Sequence, residues 1–411
     1  MDLTTLAVHA GEGAVPPSER PVSTPIYASS TFVPASAGAL DQIAAGAAPG
    51  YMYGRYAQPT ATALEAAVLA LETAGAGGAP AVCLSFASGM AALHAAILAS
   101  GVSRGDVVLC AEEIYGATLA LLRDLLAPLG LQLATAPVMD AAALAAALQR
   151  RPRLLIAEAI SNPLLRVPDL SALAQAAHAV GAKLLVDATF ATPLLCRPLS
   201  QGADFSVHSA TKYIAGHGDT VAGVVTAAAA EAAGLAAARK LAGGVLAPFE
   251  AWLTLRGVKT LPLRVRRQCE SAAEIAAELA HWPEIEAVHY PGLASHPDHA
   301  VARRQFSAQP GAQNTAQDCA LYGGVLAFAL PGAGRDQVFA FLDRLQLCLH
   351  ATSLGDVQSL ISYPVISSHR EVSPRQRQRL GIGENLLRLS VGLEAPADLL
   401  ADLRQALAAL A

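Results

Sequence analysis

Charge is scarce in these 411 residues. Asp, Glu, Lys and Arg together make up 15%, against about a quarter in an average globular chain. Disorder as the main state is excluded, because it needs high charge with low hydrophobicity, and hydrophobic residues here reach 53%. A basic excess is also missing. Lys and Arg number 28 against 33 Asp and Glu, a net charge of −5, which offers no electrostatic footprint for nucleic acid. Aromatic residues are only 5%, so much of the core is small-residue packing of Ala, Leu and Gly. The six cysteines (83, 110, 196, 269, 319 and 348) are scattered and form no C-x-x-C pair. They read as small buried hydrophobes in a reducing compartment. Uncharged apolar runs long enough to span a bilayer are lacking, and the Ala-rich stretch 226–238 is broken by Glu231 and Gly234. The opening MDLTTLAVHAGEG has no basic segment followed by an apolar one, so no signal peptide is expected. The expectation is a soluble cytoplasmic protein without membrane, nucleic-acid or metal partners.

The length suggests two or three domains, or one large domain with a smaller companion. Residues 10–60 are rich in Gly, Pro, Ser and Thr, with no long helical period. They read as an extended arm that must pack on something else, and the arm is assigned to 1–60. From 61 to 258 short apolar runs alternate with helical segments. Strands are expected at 81–86, 107–111, 131–136, 153–157, 182–187 and 221–226. Helices are expected at 61–74, 89–100, 117–127, 140–149, 169–180 and 229–242. Continuous Val/Leu/Ile runs separated by helices are the pattern of a doubly wound α/β domain with a mostly parallel sheet. From 259 to 411 the pattern changes to a smaller α+β domain. It begins with a long helix (259–281) and continues with strands near 287, 323–332 and 386–391 and helices at 334–345 and 395–410.

Three segments carry chemistry. In SVHSATKYIAGHGD (206–219) a lysine stands among small and hydroxyl residues before a Gly-rich turn. Most lysines on loops are solvated surface charges. Here Lys212 also suits a Schiff-base lysine, with Ser209 and Thr211 as phosphate ligands, and burial among small residues would help it lose its proton. In LLVDATFATP (184–193) Asp187 ends an apolar strand, where α/β folds place ligands. It could be a helix cap, or a carboxylate pairing with a protonated pyridine nitrogen. In SFASGMAA (85–92) Gly89 and Met90 open a helix whose free N–H groups could bind an anion.

Taken in order, these segments resemble the Cys/Met-metabolism family of pyridoxal-phosphate (PLP) enzymes. The resemblance runs through nearly the whole chain. It includes PVSTPIYASSTF (21–32), Y-G-R-Y-A-Q-P-T (53–60), Y-G-A-T (115–118), E-A-I-S-N-P-L-L-R-V (158–167), R-G-V-K-T-L (256–261), S-L-G (353–355) and R-L-S-V-G-L-E (388–394). It implies a fold-type-I PLP-dependent transferase architecture and a homotetramer built from dimers with shared active sites. It implies that Lys212 carries the cofactor and moves protons, that Asp187 pairs with the ring nitrogen, and that Tyr115 stacks on the ring and acts near the leaving group. Asn162 would bond the phenolic oxygen, while Gly89, Met90, Ser209 and Thr211 hold the phosphate. Tyr53 and Arg55 would reach the phosphate of a neighbouring subunit. Arg388 would clamp the substrate carboxylate, with Ser353 and the Leu354 backbone beside it. Two departures stand out: Gln58 and Ala188 each replace an Asn that is frequent in the family.

The family eliminates or replaces sulfur and oxygen groups at Cβ or Cγ of amino acids. Members that handle cystathionine often carry an Arg five residues after the stacking tyrosine, where this chain has Ala120. The G-H-G-D loop (216–219) and S-L-G-D (353–356) also follow the lyase pattern. Ala117, in place of a Cys typical of methionine γ-lyases, and Gln358, in place of Glu, do not. The reading leans to γ-elimination from methionine or homocysteine. Cystathionine γ-lyase, γ-replacement activities (cystathionine γ-synthase or O-acetylhomoserine sulfhydrylase) and a β-lyase are the alternatives. Should a second carboxylate be bound, Arg123 is the first cation to consider.

Overall fold

The computed structural model describes residues 1–11, 21–75, 80–307 and 321–408. Seven strands form the first sheet: β1 Ala81–Phe86, β2 Val107–Ala111, β3 Gln132–Ala136, β4 Leu154–Glu158, β5 Lys183–Asp187, β6 Phe205–His208 and β7 Gly223–Ala228. Their spatial order is β1-β7-β6-β5-β4-β2-β3. Strands β3, β2, β4, β5 and β6 run parallel, while β7 is antiparallel to both β6 and β1. The mixed α/β class with a mostly parallel sheet is thus as expected. The continuous apolar runs have a direct cause. On β5, Leu184 and Val186 enter one core and Leu185 enters the other, and on β4 Leu155 and Ala157 oppose Leu154 and Ile156. Helices cover both faces, so the middle of each of these strands is apolar, with Lys183 at the start of β5 and the carboxylates Glu158 and Asp187 at the C-terminal ends.

No strand is expected over Phe205–His208, because FSVH is short and half polar, yet it forms β6. The expected strand 221–226 is displaced to 223–228, and the expected helix 117–127 is α-helical only over Gly116–Ala120 before a π-helical stretch, Leu121–Leu126. A separate helix, Pro248–Val258, precedes the long one, Leu261–Leu279. Pro262 lacks an N–H and so opens the second helix rather than continuing the first.

The second sheet contains β8 Ala287–His289, β9 Val325–Ala329, β10 Leu349–His350, β11 Leu360–Ser362 and β12 Leu386–Ser390, in the order β10-β11-β12-β9-β8. Its core is separate, but the long helix serves both. Leu261, Val265 and Cys269 pack in the large core, and Ala272, Ile275 and Leu279 in the small one. The N-terminal segment has more local structure than an extended arm. Helix Leu3–His9 buries Ala7 in the large core, and Ala37–Ala44 forms a short helix with no buried residue. The Asn-replacing Gln58 accepts a hydrogen bond from the Thr60 N–H and caps helix Pro59–Glu72. Five cysteines are free and buried, and Cys319 lies outside the described residues. Among the described residues no helix is long and apolar enough to cross a membrane.

Candidate active site

A cavity of about 440 Å³ opens at the C-terminal ends of the parallel strands and is closed by β12 of the second sheet. Ligands gather at such strand ends because the chain reverses there and exposes loop and helix-terminal polar groups. Glu158, Asp187 and His208 are the last residues of β4, β5 and β6. Lys212 follows four residues after β6, and its Nζ reaches across to donate to Ser353 Oγ at 2.8 Å. Burial, with the nearby Arg388 charge, lowers the Lys212 ammonium to about 8. A lysine so placed is partly neutral near physiological pH and able to act as nucleophile or base. Its loop is clamped from behind. Arg264 donates to the carbonyls of Tyr213 and Ile214 at 2.9 and 3.3 Å and to that of Gly257 at 2.8 Å.

Asp187 lines the cavity and accepts from the Thr189 backbone N–H at 2.9 Å and from its hydroxyl. Thr189 in turn accepts from the Ser209 N–H at 2.8 Å, which ties the strand end to the lysine loop. Burial pushes the Asp187 carboxyl upward, and the Thr189 hydrogen bonds and the His208 charge counter that. Only one carboxylate oxygen is engaged by Thr189, so the other is available to a ligand. Glu158, its register partner on β4, accepts from the Tyr115 N–H at 2.8 Å. Burial first, and Asp187 second, hold Glu158 well above the ordinary carboxylate range.

The anion end is built from a helix N-terminus. Ser88 caps helix Gly89–Ala99 by accepting from Ala91 N–H at 3.1 Å, which leaves the first N–H groups, of Gly89 and Met90, without helical acceptors. A Cβ on Gly89 would stand 2.7 Å from Ser209 Cβ, and one on Gly223 would stand 2.2 Å from the Ser88 carbonyl oxygen. Gly89 is therefore required for the close approach of this turn to the lysine loop, and Gly223 for its approach to β7. Thr211 also lines the cavity, with its hydroxyl shared between the Ala222 N–H and carbonyl.

Arg388 enters from β12, almost fully buried. It donates to Asn162 Oδ1 at 2.8 Å and to the Ser353 carbonyl at 2.9 Å, and its Nε is buried without a partner among the described residues. Burial lowers its guanidinium to about 10, which still leaves it cationic at neutral pH. An unpaired buried guanidinium nitrogen calls for an anionic ligand.

The cavity thus brings together Tyr115, Lys212, Asp187, Asn162, Gly89, Met90, Ser209, Thr211, Leu354 and Arg388, with Ser353 bonded to the lysine. It does not include Tyr53 or Arg55. Arg55 packs against the rings of Tyr53 and Tyr56 and donates to the Lys240 carbonyl at 2.8 Å, and Tyr53 is 40% exposed. Arg123 is removed as a cavity cation. It is exposed and forms two bonds of 2.6 Å with Asp124, its chain neighbour. Sequence reading missed Thr189, Phe190 and the Ser367–Ser368 pair, all of which line the cavity. The Asp-x-Thr spacing was a usable signal for Thr189, since Asp and Thr two residues apart form a local turn. Ser367 and Ser368 come from a distant loop and had none.

These features accommodate PLP: a lysine of lowered basicity, a half-buried carboxylate with an oxygen not engaged by Thr189, and a helix N-terminus beside two hydroxyls. The comparisons agree. The family described as "Cys/Met metabolism PLP-dependent enzyme" matches residues 4–408. The chain is 40% identical over 406 residues to the O-succinylhomoserine sulfhydrylase of Pseudomonas aeruginosa, covering 99% of this chain and 95% of that protein. It is 40% identical over 392 residues to the L-methionine gamma-lyase of Pseudomonas putida, covering 94% and 92%. Among solved structures it resembles cystathionine gamma synthase from Xanthomonas oryzae pv. oryzae in complex with aminoacrylate and cysteine, with a TM-score of 0.89 at 36% identity over 100% and 98% of the chains. The chain belongs to the Cys/Met-metabolism PLP-dependent enzymes. It is a PLP-dependent trans-sulfuration enzyme.

Proposed function

We propose that this enzyme catalyses γ-elimination from methionine or homocysteine, releasing a thiol, 2-oxobutyrate and ammonia. The observation that carries the reading is the charge of the cavity. Lys212 and Arg388 are the only cationic side chains among its described lining residues. One serves the chemistry and the other the α-carboxylate, so a second carboxylate at the distal end would be buried unpaired, at a cost of several kcal/mol.

PLP, when bound, supplies a cationic ring that accepts the electron pair left on the substrate α-carbon. In this reading Asp187 holds the ring nitrogen and Asn162 the phenolic oxygen. Gly89, Met90, Ser209 and Thr211 hold the phosphate, joined by Tyr53 and Arg55 of a neighbouring copy in a tetramer of paired dimers. Arg388 fixes the substrate carboxylate beside Ser353 and the Leu354 backbone. Neutral Lys212 takes the α-proton and moves it, with Ser353 holding its amine in place. Tyr115 supplies a proton at the departing sulfur.

γ-Replacement is the second reading, favoured by the similarity to the Pseudomonas aeruginosa sulfhydrylase. Elimination and replacement share every step until water or a thiol claims the product, so the same residues serve either. The test supplies methionine, homocysteine, cystathionine, and acylated homoserine with a thiol, and measures 2-oxobutyrate, ammonia and the sulfur product. Methionine or homocysteine should give the highest kcat/KM. A tenfold or greater preference for cystathionine or an acylhomoserine would overturn the reading.

A further inference from the structure

Glu158 is a buried acid in the cavity wall with no part in the chemistry of Lys212, Asp187 and Arg388. It ends β4, beside its register partner Asp187 on β5, and both residues line the cavity. Its Oε1 accepts from the Tyr115 N–H at 2.8 Å, a bond between positions 43 apart in the chain. Its Oε2 is buried and has no hydrogen-bond partner among the described residues. A charged carboxylate with a bare buried oxygen is costly, and burial favours the neutral acid here. A neutral carboxyl still offers its carbonyl oxygen to the Tyr115 N–H.

Tyr115 has few other supports. It precedes helix Gly116–Ala120 and supplies no side-chain cap. Its side chain is exposed, and among the described residues its hydroxyl makes no hydrogen bond. The ring is therefore aimed by its backbone. The Tyr115 carbonyl accepts from the Thr118 and Leu119 N–H groups at 2.9 and 3.2 Å. On the next residue, a Cβ on Gly116 would stand 2.8 Å from the Ser368 carbonyl oxygen, so the turn also rests against that loop. Of these three supports, only Glu158 acts through a side chain.

We propose that Glu158 is a positioning residue for Tyr115: its carboxyl oxygen, anchored at the end of β4, fixes where the Tyr115 ring stands in the cavity. Glu158 acts through Tyr115 and moves no proton itself. The bond ties the tyrosine to the same strand ends that carry Asp187, so ring and carboxylate keep one spacing. Displacing a positioned group by about 1 Å can cost roughly 100-fold in rate. The inference rests on the reading that Tyr115 stacks on the PLP ring and serves the departing sulfur.

The experiment compares Glu158→Leu, Glu158→Gln, Tyr115→Ala and the double variant Glu158→Leu/Tyr115→Ala with the unaltered holoenzyme. Leu fills the space and removes the acceptor, while Gln keeps an accepting oxygen without the acid. Should Leu unsettle the fold, which thermal melting reports, Glu158→Met replaces it. One readout is the visible circular dichroism of bound PLP, which responds to a ring stacked on it. The other is kcat and KM, taken separately on whichever amino acid named above gives the highest kcat/KM. Glu158→Leu should alter the cofactor dichroism and lower kcat about tenfold or more, with KM held within about threefold. Glu158→Gln should restore most of both. In the Tyr115→Ala background Glu158→Leu should change the dichroism no further. Native dichroism and kcat in Tyr115→Ala would end the Tyr115 reading and this one with it. Undiminished kcat in the Leu or Met variant, a Gln variant as impaired as Leu, or an equal further change in the Tyr115→Ala background would overturn the proposal and leave the Tyr115 reading intact.

Discussion

Lys212 and Arg388 illustrate how burial turns ordinary side chains into reagents. Both cations sit in one cavity, and each loses basicity chiefly through desolvation. Lys212 is neutral above about 8 and charged below it. Reloading of the apo-enzyme with PLP should therefore accelerate as pH rises through about 8 and level off above. Arg388→Gln removes a neighbouring positive charge, so the same inflection should move to higher pH; stopped-flow absorbance across a pH series measures it. Lys212→Ala should lose borohydride-fixable cofactor altogether, and retention of that covalent label would refute the assignment. Arg388 also has a substrate role in our reading. A charge-assisted hydrogen bond is worth about 1.5–3 kcal/mol, so Arg388→Gln should raise KM roughly 10- to 100-fold, with cofactor absorbance preserved.

At the scale of elements, the anion end of the cavity depends on how closely helix Gly89–Ala99 approaches β7 and the lysine loop. Gly223 has no room for a side chain against the Ser88 carbonyl, which is backbone and cannot swing away. Gly223→Ala should displace the helix N-terminus and cost about 1–3 kcal/mol, the usual penalty for overpacking. A lower urea midpoint together with weaker PLP retention would show it. Unchanged values for both would mean that this packing does not set the anion site. Most elements were legible from apolar periodicity, because strands such as LLVD and VVLCA are buried on both faces. The exceptions have local causes. FSVH carries two polar residues that turn inward to the Glu72 network, so its pattern is not that of a core strand. Helix Pro248–Val258 has no counterpart among the expected elements, whereas the expected start of the long helix at 259 falls two residues before Leu261, where Pro262 opens it.

For the whole molecule the decisive question is how copies combine. Tyr53 and Arg55 lie away from the cavity of their own chain, in a segment with an exposed Val22 and Val33. If they complete a neighbour's site, Arg55→Ala and Lys212→Ala chains, each inactive, should recover activity when refolded together. Random pairing gives each hybrid dimer one whole site, so about a quarter of full activity is expected. Mixed chains that stay inactive in proven hybrids would refute the shared site.

The sequence by itself determined the fold class, the family and half of the cavity's described lining residues. Local rules give part of that: apolar runs define strands, a Gly-opened helix defines an anion site, and a Lys among small residues lacks solvent; the family, and with it Tyr115, Asn162, Leu354 and Arg388, came from the resemblance of whole motifs. Tertiary structure decided what those residues face. Ala120 and Arg123 looked like the specificity positions, yet Arg123 turns to Asp124 and solvent. Ser367 and Ser368 reach the cavity from a loop more than 150 residues beyond Lys212 in the chain. The Glu72–His208 contact joins residues 136 positions apart. No periodicity carries such information, because side-chain pairing across distant elements is set by how helices and strands pack, and only folding brings a helix end and a strand end into one contact.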